Sequence, residues 1–342
     1  MIEPDPRGTA MAREIHEIPD LAERLVAEHK SVASVARRIQ QSDARVVILS
    51  GRGSSGNAGT LLRYLFEARA GLLVSTSAPS VITTYGRSID MARAVFIVIS
   101  QSGRSPDLVT GARSARENGA LTVAIVNDSD SPLAQACELV LPIGAGIEHS
   151  VAATKSVVLS MMIAVQLVAS LTSDAALAAH TERLPQRFRE ALACDWSAWT
   201  HSLVNAKAAF VIGRGFGLGP AREIGLKVIE TLRVPALSYS AAEVMHGPLA
   251  CAAADTPLLV LRQEDGSAAM VDALIAELRT RKLNVFSAGD PIGTLPWIGS
   301  GDPVCDAITM LLPAYQAVEQ AARRRGFNPD HPPNLSKITE TL

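Results

Sequence analysis

Segments of this chain recur at a fixed spacing. Gly51-Arg52-Gly53 returns as Gly213-Arg214-Gly215, 162 residues later. The apolar run 95–99 leading into Ser100-Gln101 is matched by 258–261 leading into Arg262-Gln263. The run 121–126 before Asn127-Asp128 is matched by 283–286 before Gly289-Asp290. Three landmarks in step predict a duplicated unit. The unit is legible as well. Short β-branched runs at 46–49, 72–74, 95–99 and 121–126 alternate with helical stretches at 57–69 and 106–118, and an apolar helix over 151–171 closes the half. Strands alternating with helices imply a parallel sheet with helices on both faces. A second set of strands starts at 209–212. The expected division is 1–182 for the N-terminal helices and first α/β half, and 183–342 for the second half and C-terminal tail. The junction falls in the polar helical stretch around 172–200. A length of 342 residues also exceeds what one hydrophobic core usually serves.

Ahead of the first strand, residues 11–45 are charged with a helical stripe of Ile15, Ile18, Leu21, Leu25, Val32, Val35 and Ile39. With 32 Lys+Arg against 34 Asp+Glu, the chain has no basic field for a phosphate backbone. Its 3 Trp, 4 Tyr and 7 Phe give little to stack on bases, so no nucleic-acid partner is expected. The longest apolar run, Val157 to Val168, contains Ser160 and Gln166 and reads as a buried helix rather than a membrane span. Met1 to Pro6 lacks the basic start and apolar stretch of a secretory leader. Cys137, Cys194, Cys251 and Cys305 are isolated from one another, with no His at ligand spacing. They read as buried thiols in a reducing cytoplasm, with no metal site.

In open parallel sheets ligands bind beyond the carboxyl ends of the strands. Two loops there stand out, Gly51-Arg52-Gly53-Ser54-Ser55-Gly56-Asn57 and Ser100-Gln101-Ser102-Gly103-Arg104-Ser105-Pro106-Asp107. Both offer hydroxyls and backbone N–H groups at a helix start, which suits a phosphate monoester. Ser, Gly and Asn also make ordinary turns and caps, and either loop alone reads that way. The second-half counterpart, Arg262-Gln263-Glu264-Asp265-Gly266, carries two carboxylates that would repel phosphate, so a single site in the first half is expected. The glycines do not form a dinucleotide fingerprint, since no acidic residue ends the next strand at 72–77.

In order along the chain stand Ser100-Gln101-Ser102-Gly103, Ala145-Gly146-Ile147-Glu148-His149-Ser150-Val151-Ala152-Ala153-Thr154-Lys155, Glu243-Val244-Met245-His246-Gly247-Pro248 and Asn334-Leu335-Ser336-Lys337. With Glu14-Ile15-His16-Glu17-Ile18-Pro19 at the start, this pattern resembles the sugar isomerase (SIS) family, namely the isomerase half of glucosamine-6-phosphate synthase and its stand-alone deaminase relatives. The resemblance covers nearly the whole chain. It implies an α/β fold of two tandem SIS domains, each a parallel sheet flanked by helices in a flavodoxin-like three-layer sandwich. It implies that Ser54, Ser55, Ser100, Gln101, Ser102 and Ser105 hold a hexosamine or hexose 6-phosphate, with Ser105 where the family often has Thr, and that Val151 and Ser336 lie at the sugar. Glu230 matches the carboxylate that moves a proton between C1 and C2, and His246 matches the histidine that helps open the ring. Lys337 matches the C-terminal lysine implicated in ring opening or a Schiff base. A homodimer with His246 reaching the neighbouring site is also implied, with no cofactor or metal.

The residue types suit that chemistry. Interconverting an aldose amine and a ketose needs an open chain, a base for the carbon acid and a donor at the carbonyl. Taken without the resemblance, each residue has a plainer reading. Glu223, Lys227 and Glu230 are spaced as an exposed ion-pair ladder, His246 stands before a Gly-Pro turn, and Lys337 lies in a tail. Three positions depart from the family pattern: Arg104 where an acid is common, and Ala153 and Ser336 where Ser and Ala are common. Arg104 either adds a contact to phosphate or faces solvent. The synthases carry an N-terminal glutaminase domain with a Cys nucleophile. Here the second residue is Ile2, no Cys precedes Cys137, and about 40 residues precede the first strand, so release of ammonia is the expected direction. The expected reaction converts glucosamine 6-phosphate and water to fructose 6-phosphate and ammonia. Alternatives are a fructosamine-6-phosphate deglycase or another ketose/aldose phosphate isomerase, and a non-catalytic sugar-phosphate-binding regulator.

Overall fold

The computed structural model describes residues 8–28, 30–289, 293–299 and 301–337. Met1 to Pro6, on which the leader reading rests, and Asp290 lie outside them. The chain forms two compact units, each around one parallel sheet. The first-sheet unit comprises Leu21–Ile147 and Ser156–Glu182, with Ser336 and Lys337. The second-sheet unit comprises residues from Gly8 to Asp20, Glu148–Lys155 and Arg183–Leu335. A single cut at 182/183 therefore leaves residues before Leu21 and the stretch Glu148–Lys155 grouped with the later half.

In the first unit β1 (Val46–Ser50), β2 (Leu73–Thr76), β3 (Ala94–Ser100), β4 (Leu121–Val126) and β5 (Leu139–Pro142) line up as β2-β1-β3-β4-β5, all parallel. In the second, β6 (Ala209–Gly213), β7 (Ala236–Ser240), β8 (Pro257–Leu261) and β9 (Asn284–Ala288) line up as β7-β6-β8-β9, again all parallel. The orders are the same apart from the fifth strand. The registers agree too: Ile48 pairs with Phe96 as Phe210 pairs with Leu258. These two pairs face equivalent cores, as do Val98 and Val260. Within each strand alternate residues share a face, so Phe96 and Val98 line one core as Leu258 and Val260 line the other. Helices Pro106–Glu117 and Ala268–Thr280, which pack on those cores, also start 162 residues apart.

The central strands β3, β6 and β8 are buried at every residue, as helices on both faces require, whereas edge strand β2 is largely exposed. Two strands escape the sequence reading. β5 is half-buried and only four residues long, and Ala236-Leu237-Ser238-Tyr239-Ser240 of β7 is too polar to stand out. The N-terminal periodic stretch is two helices, Ala10–Ala27 and Lys30–Gln41, and all of its apolar stripe except Leu25 is buried. The apolar helix starts later than expected and runs Lys155–Thr172. At 18 residues and a mean hydropathy of 1.6 it is long and apolar enough to cross a membrane, so length does not exclude a span as the shorter run suggested. From Ser156 to Ala169 all but Gln166 is buried inside the protein, which makes it a core helix.

None of the four cysteines is in a disulfide, and the expectation that all are buried fails for half-buried Cys194 and exposed Cys251. Burial pushes the Cys137 thiol up to about 12, and Cys305 is buried as well, whereas Cys251 is exposed. Thiolate is the reactive form. Alkylation of the native protein near pH 8 is therefore expected to mark Cys251 first. Cys137 and Cys305 should react only after denaturant is added, and peptide mapping showing early modification of Cys137 would contradict the packing.

Candidate active site

The strand order reverses between β1 and β3, so the loops after these neighbouring strands flank the one crevice where ligands bind in such sheets. The loop after β1 runs straight into helix Gly53–Arg69, with Arg52 extended before it and Ser54 and Ser55, both half-buried, in the first turn. First-turn N–H groups have no partners within their own helix, which makes this turn a natural anion seat. The loop after β3 is a tight turn held by its own serines. The buried Ser100 Oγ accepts the Gly103 N–H at 3.1 Å, and Ser102 Oγ accepts the Arg104 N–H at 3.3 Å. Ser105 takes the N-cap position of helix Pro106–Glu117, yet its side chain makes no cap bond. The capping reading thus holds for Ser100 and Ser102 as acceptors but not for Ser105. Gln101 is half-buried in the same turn. These loops bring together six of the residues expected to hold phosphate: Ser54, Ser55, Ser100, Gln101, Ser102 and Ser105.

Gly103 is fixed by two constraints. Its φ is +64°, which side chains disfavour, and a Cβ there would collide with Ser131 Oγ. Gly103→Ala is expected to cost about 1–3 kcal/mol of stability from backbone strain and overpacking. It should also weaken sugar-phosphate binding, and urea titration with calorimetry checks both.

Two ion pairs in these loops were not expected. Arg52 Nε and Nη2 donate to Asp107 Oδ2 at 2.8 and 2.5 Å, which ties the first loop to the second. Arg104 pairs with Asp128 at 2.8 Å, with its side chain 54% exposed.

The equivalent crevice of the second sheet, between β6 and β8, is built differently. Glu264 is paired with Arg262, which also grips Asp272 at 3.1 Å, and Asp265 accepts from Ser267 N–H and O–H at 2.8 and 2.6 Å. Each carboxylate thus has a partner, with one guanidinium shared between two of them. The Gln263 side chain, 2% exposed, packs against Gly217, where a Cβ would collide with its amide.

Glu230 and His246, two of the residues expected to be catalytic, lie in the second-sheet unit. Helix Leu218–Leu232 packs on β6 and β7 and against helix Leu311–Arg324. Glu223, Lys227 and Glu230 share one face of it. Lys227 Nζ donates to Glu230 Oε2 at 2.6 Å and lies 3.3 Å from Glu223 Oε1. The expected ladder exists, but it is buried: Glu223 and Lys227 are 0% exposed, and only Glu230, at 20%, reaches solvent. Sequence spacing fixes which residues align on a helix and says nothing about what covers them. Burial works against the Lys227 cation, yet the charges of Glu223 and Glu230 outweigh it and its pKa ends above the usual lysine value. Tyr315 O–H points to Glu223 Oε1 at 3.4 Å, and burial, with the nearby carboxylates, raises its pKa well above the ordinary phenol value. Two carboxylates share one ammonium, and the solvent-reaching carboxylate is held by a lysine that stays charged. That arrangement can take and return a proton at a substrate carbon.

The expected sugar-contacting Val151 sits in an irregular segment, where a helix had been expected from 151. Its N–H donates to the Asp330 carbonyl at 3.1 Å. The Asp330 carboxylate accepts the N–H groups of Ala10 and Met11 at 2.7 and 2.8 Å, capping the N-terminal helix. Glu14, 2% exposed, accepts the backbone N–H groups of His149 and Ser150. Burial raises its pKa, those N–H groups oppose the rise, and the charge of Glu148 adds to it. Lys155 pairs with Glu17 at 2.6 Å. His246 is exposed, and its N–H closes a turn onto Glu243 C=O at 2.9 Å. No hydrogen bond joins it to Glu230 among the described residues. Ser336 is exposed and Lys337 half-buried, and both are grouped with the first sheet rather than with Glu230 and His246.

Sequence reasoning missed Arg52, Asp107, Tyr315, Glu14 and Asp330 as parts of this machinery. Arg52 and Asp107 stand in the two loops singled out and Glu14 in the N-terminal motif, whereas Tyr315 and Asp330 had no signal. Among the described residues no three His, Cys, Asp or Glu side chains are grouped to hold a metal.

Residues 41–170 and 202–287 match the family described as SIS domain. Over 307 residues the chain is 30% identical to glutamine–fructose-6-phosphate aminotransferase (isomerizing) of Escherichia coli K12, covering 83% of this chain and 50% of that protein. It thus spans about half the length of the curated relatives it matches. A crystal structure from Silicibacter pomeroyi DSS-3, provisionally named a phosphosugar isomerase, superposes with a TM-score of 0.89 at 35% identity, over 94% of this chain and 100% of that one. Thermotoga maritima glucosamine-6-phosphate deaminase superposes with a TM-score of 0.80 over 97% and 100% of the two chains, at 20% identity, a likeness of fold.

Proposed function

The chain belongs to the SIS domain family, and we propose that it is an isomerising deaminase of an amino-sugar phosphate, converting glucosamine 6-phosphate and water to fructose 6-phosphate and ammonia. The observation that carries this reading is Glu230, a carboxylate reaching solvent and hydrogen-bonded to a buried ammonium that two carboxylates keep charged. The hydroxyl-lined crevice at β1 and β3 supports a phosphate seat, with Ser105 O–H and the first-turn N–H groups of helix Gly53–Arg69 as donors.

The chemistry divides among named residues. His246 moves a proton at the ring oxygen as the pyranose opens. Glu230 takes the C2 proton and returns it at C1, which turns the amino aldehyde into a ketose imine. Water adds to that imine and ammonia leaves, so the nitrogen departs without any change of oxidation state overall. Lys337 polarises the carbonyl oxygen during opening, and Val151 and Ser336 contact the sugar.

We further read the chain as two tandem SIS domains, 1–182 and 183–342, descended from one duplicated unit. It acts as a cytoplasmic homodimer, and the four unpaired cysteines suit a reducing compartment. Names among the similar folds support both a deaminase and a ketose/aldose isomerase, such as the Escherichia coli tagatose-6-phosphate enzyme. The deciding experiment measures ammonia from purified protein with glucosamine 6-phosphate, galactosamine 6-phosphate and fructosamine 6-phosphates. Ammonia together with stoichiometric fructose 6-phosphate is the expected result. Binding of every compound with no turnover would replace the enzyme by a sugar-phosphate-binding regulator, and turnover of fructosamine phosphates alone would make it a deglycase.

A further inference from the structure

We propose that Arg52 is the cation of the phosphate seat in the first-sheet unit, held in place by Asp107 and offering its free edge to the phosphate. This rests on the sugar-phosphate reading above. The other groups in the two loops expected to hold phosphate are hydroxyls, amides and backbone N–H groups, while a phosphate monoester carries about two negative charges near neutral pH. The second arginine of these loops, Arg104, is engaged with Asp128 at 2.8 Å.

Arg52 is the last residue before helix Gly53–Arg69, and Asp107 is the second residue of helix Pro106–Glu117. Their ion pair therefore bridges the loops of neighbouring strands β1 and β3, two residues before Ser54 and two after Ser105. Its geometry is one-sided. Asp107 Oδ2 receives both Nε and Nη2, while Oδ1 accepts the Leu108 N–H at 2.9 Å. Nη1 takes no part in that pair. The carboxylate is 1% exposed and the arginine side chain 57%, so the acid lies beneath and the guanidinium on top. A guanidinium held by one edge keeps a second edge of parallel N–H donors, the arrangement that matches phosphate oxygens.

The other half supplies the contrast. Arg214 occupies the same loop position, but Nη1 donates to Ser240 Oγ at 3.0 Å and the buried Gln263 amide lies against Gly217. An arginine backed by a buried carboxylate thus occurs in the half whose loops are rich in hydroxyls.

Calorimetry on the full chain with fructose 6-phosphate, inorganic phosphate and unphosphorylated fructose, at two ionic strengths, tests the proposal. Arg52→Ala is expected to weaken fructose 6-phosphate binding by about 10- to 100-fold, the range of a charge-assisted hydrogen bond, and to flatten its salt dependence. Arg52→Gln keeps an N–H donor for Asp107 without the charge and should show the same loss, which guards against a folding defect in the alanine variant. Asp107→Asn keeps the cation and should bind within a few-fold of the parent. Equal losses in Arg52→Gln and Asp107→Asn, with salt dependence intact, would reduce Arg52 to a loop tie and overturn the proposal, as would unchanged affinity in both Arg52 variants. Failure of the parent to bind any sugar phosphate would overturn the proposed function and this inference with it. Binding by the parent with no effect at Arg52 overturns the inference alone.

Discussion

Replacing Glu230 by Gln is expected to lower exchange of the sugar C2 hydrogen with solvent by about 10²- to 10⁴-fold, the usual contribution of a positioned general base. Sugar-phosphate affinity should change by less than about threefold, because the groups expected to seat the phosphate are elsewhere in the chain. The amide is nearly isosteric and can still accept from Lys227, so the 2.6 Å contact survives while the basicity does not. Nuclear magnetic resonance of glucosamine 6-phosphate in deuterium oxide reads the exchange directly. Exchange at the parent rate would remove Glu230 from the base role and turn attention to Glu223, which is fully buried and occupied by Lys227 and Tyr315.

The largest effect on stability is expected at Lys227. Replacement by Met keeps the length of the side chain but removes the ammonium that lies 3.3 Å from the fully buried Glu223. Removing one partner of a buried ion pair costs about 3–5 kcal/mol. The sign of the pH dependence follows. The pKa of Lys227 lies above 10.5 in the folded protein, so its ammonium stabilises fully below pH 10.5 and is lost only above that, as pH rises through the folded value. Any pH dependence of the variant below neutrality therefore comes from the carboxylates it had paired. Burial without that ammonium raises the folded pKa of Glu223, so the folded state binds more protons than the unfolded one and the variant gains stability as pH falls toward 5. Urea midpoints at pH 8 and pH 5 check this, with the larger deficit expected at pH 8. A deficit below about 1 kcal/mol, or one equal at both values, would mean that the three residues do not act as a buried unit.

Much of the fold is written locally. Continuous β-branched runs such as 95–99 declare buried parallel strands, and the repeat offset placed both sheets and paired their loops before any coordinates. β5 and β7 escaped for different reasons, both at a sheet edge: β5 is four residues ending in Pro, and the serines of β7 interrupt its apolar run. The candidate phosphate loops were legible for the same reason as the strands, since Ser and Gly cluster where a strand turns into a helix. The difference expected between the halves rested on the charges of Glu264 and Asp265; the structure adds that Glu264 shares Arg262 with Asp272 and that the Gln263 amide lies against Gly217.

The amino-acid sequence by itself determined the α/β alternation, the repeat with its 162-residue step, the positions of the hydroxyl-rich loops and the alignment of Glu223, Lys227 and Glu230 on one helical face. All of these depend on periodicity and on neighbours within a few residues. The tertiary structure alone decided that this face is buried under helix Leu311–Arg324, and that Arg52 meets Asp107 across 55 residues. It also decided that Glu14 and Asp330 hold the segment around Val151. Burial and charge pairing are set by whichever distant segment packs on top, and no local pattern in the chain encodes which one that will be.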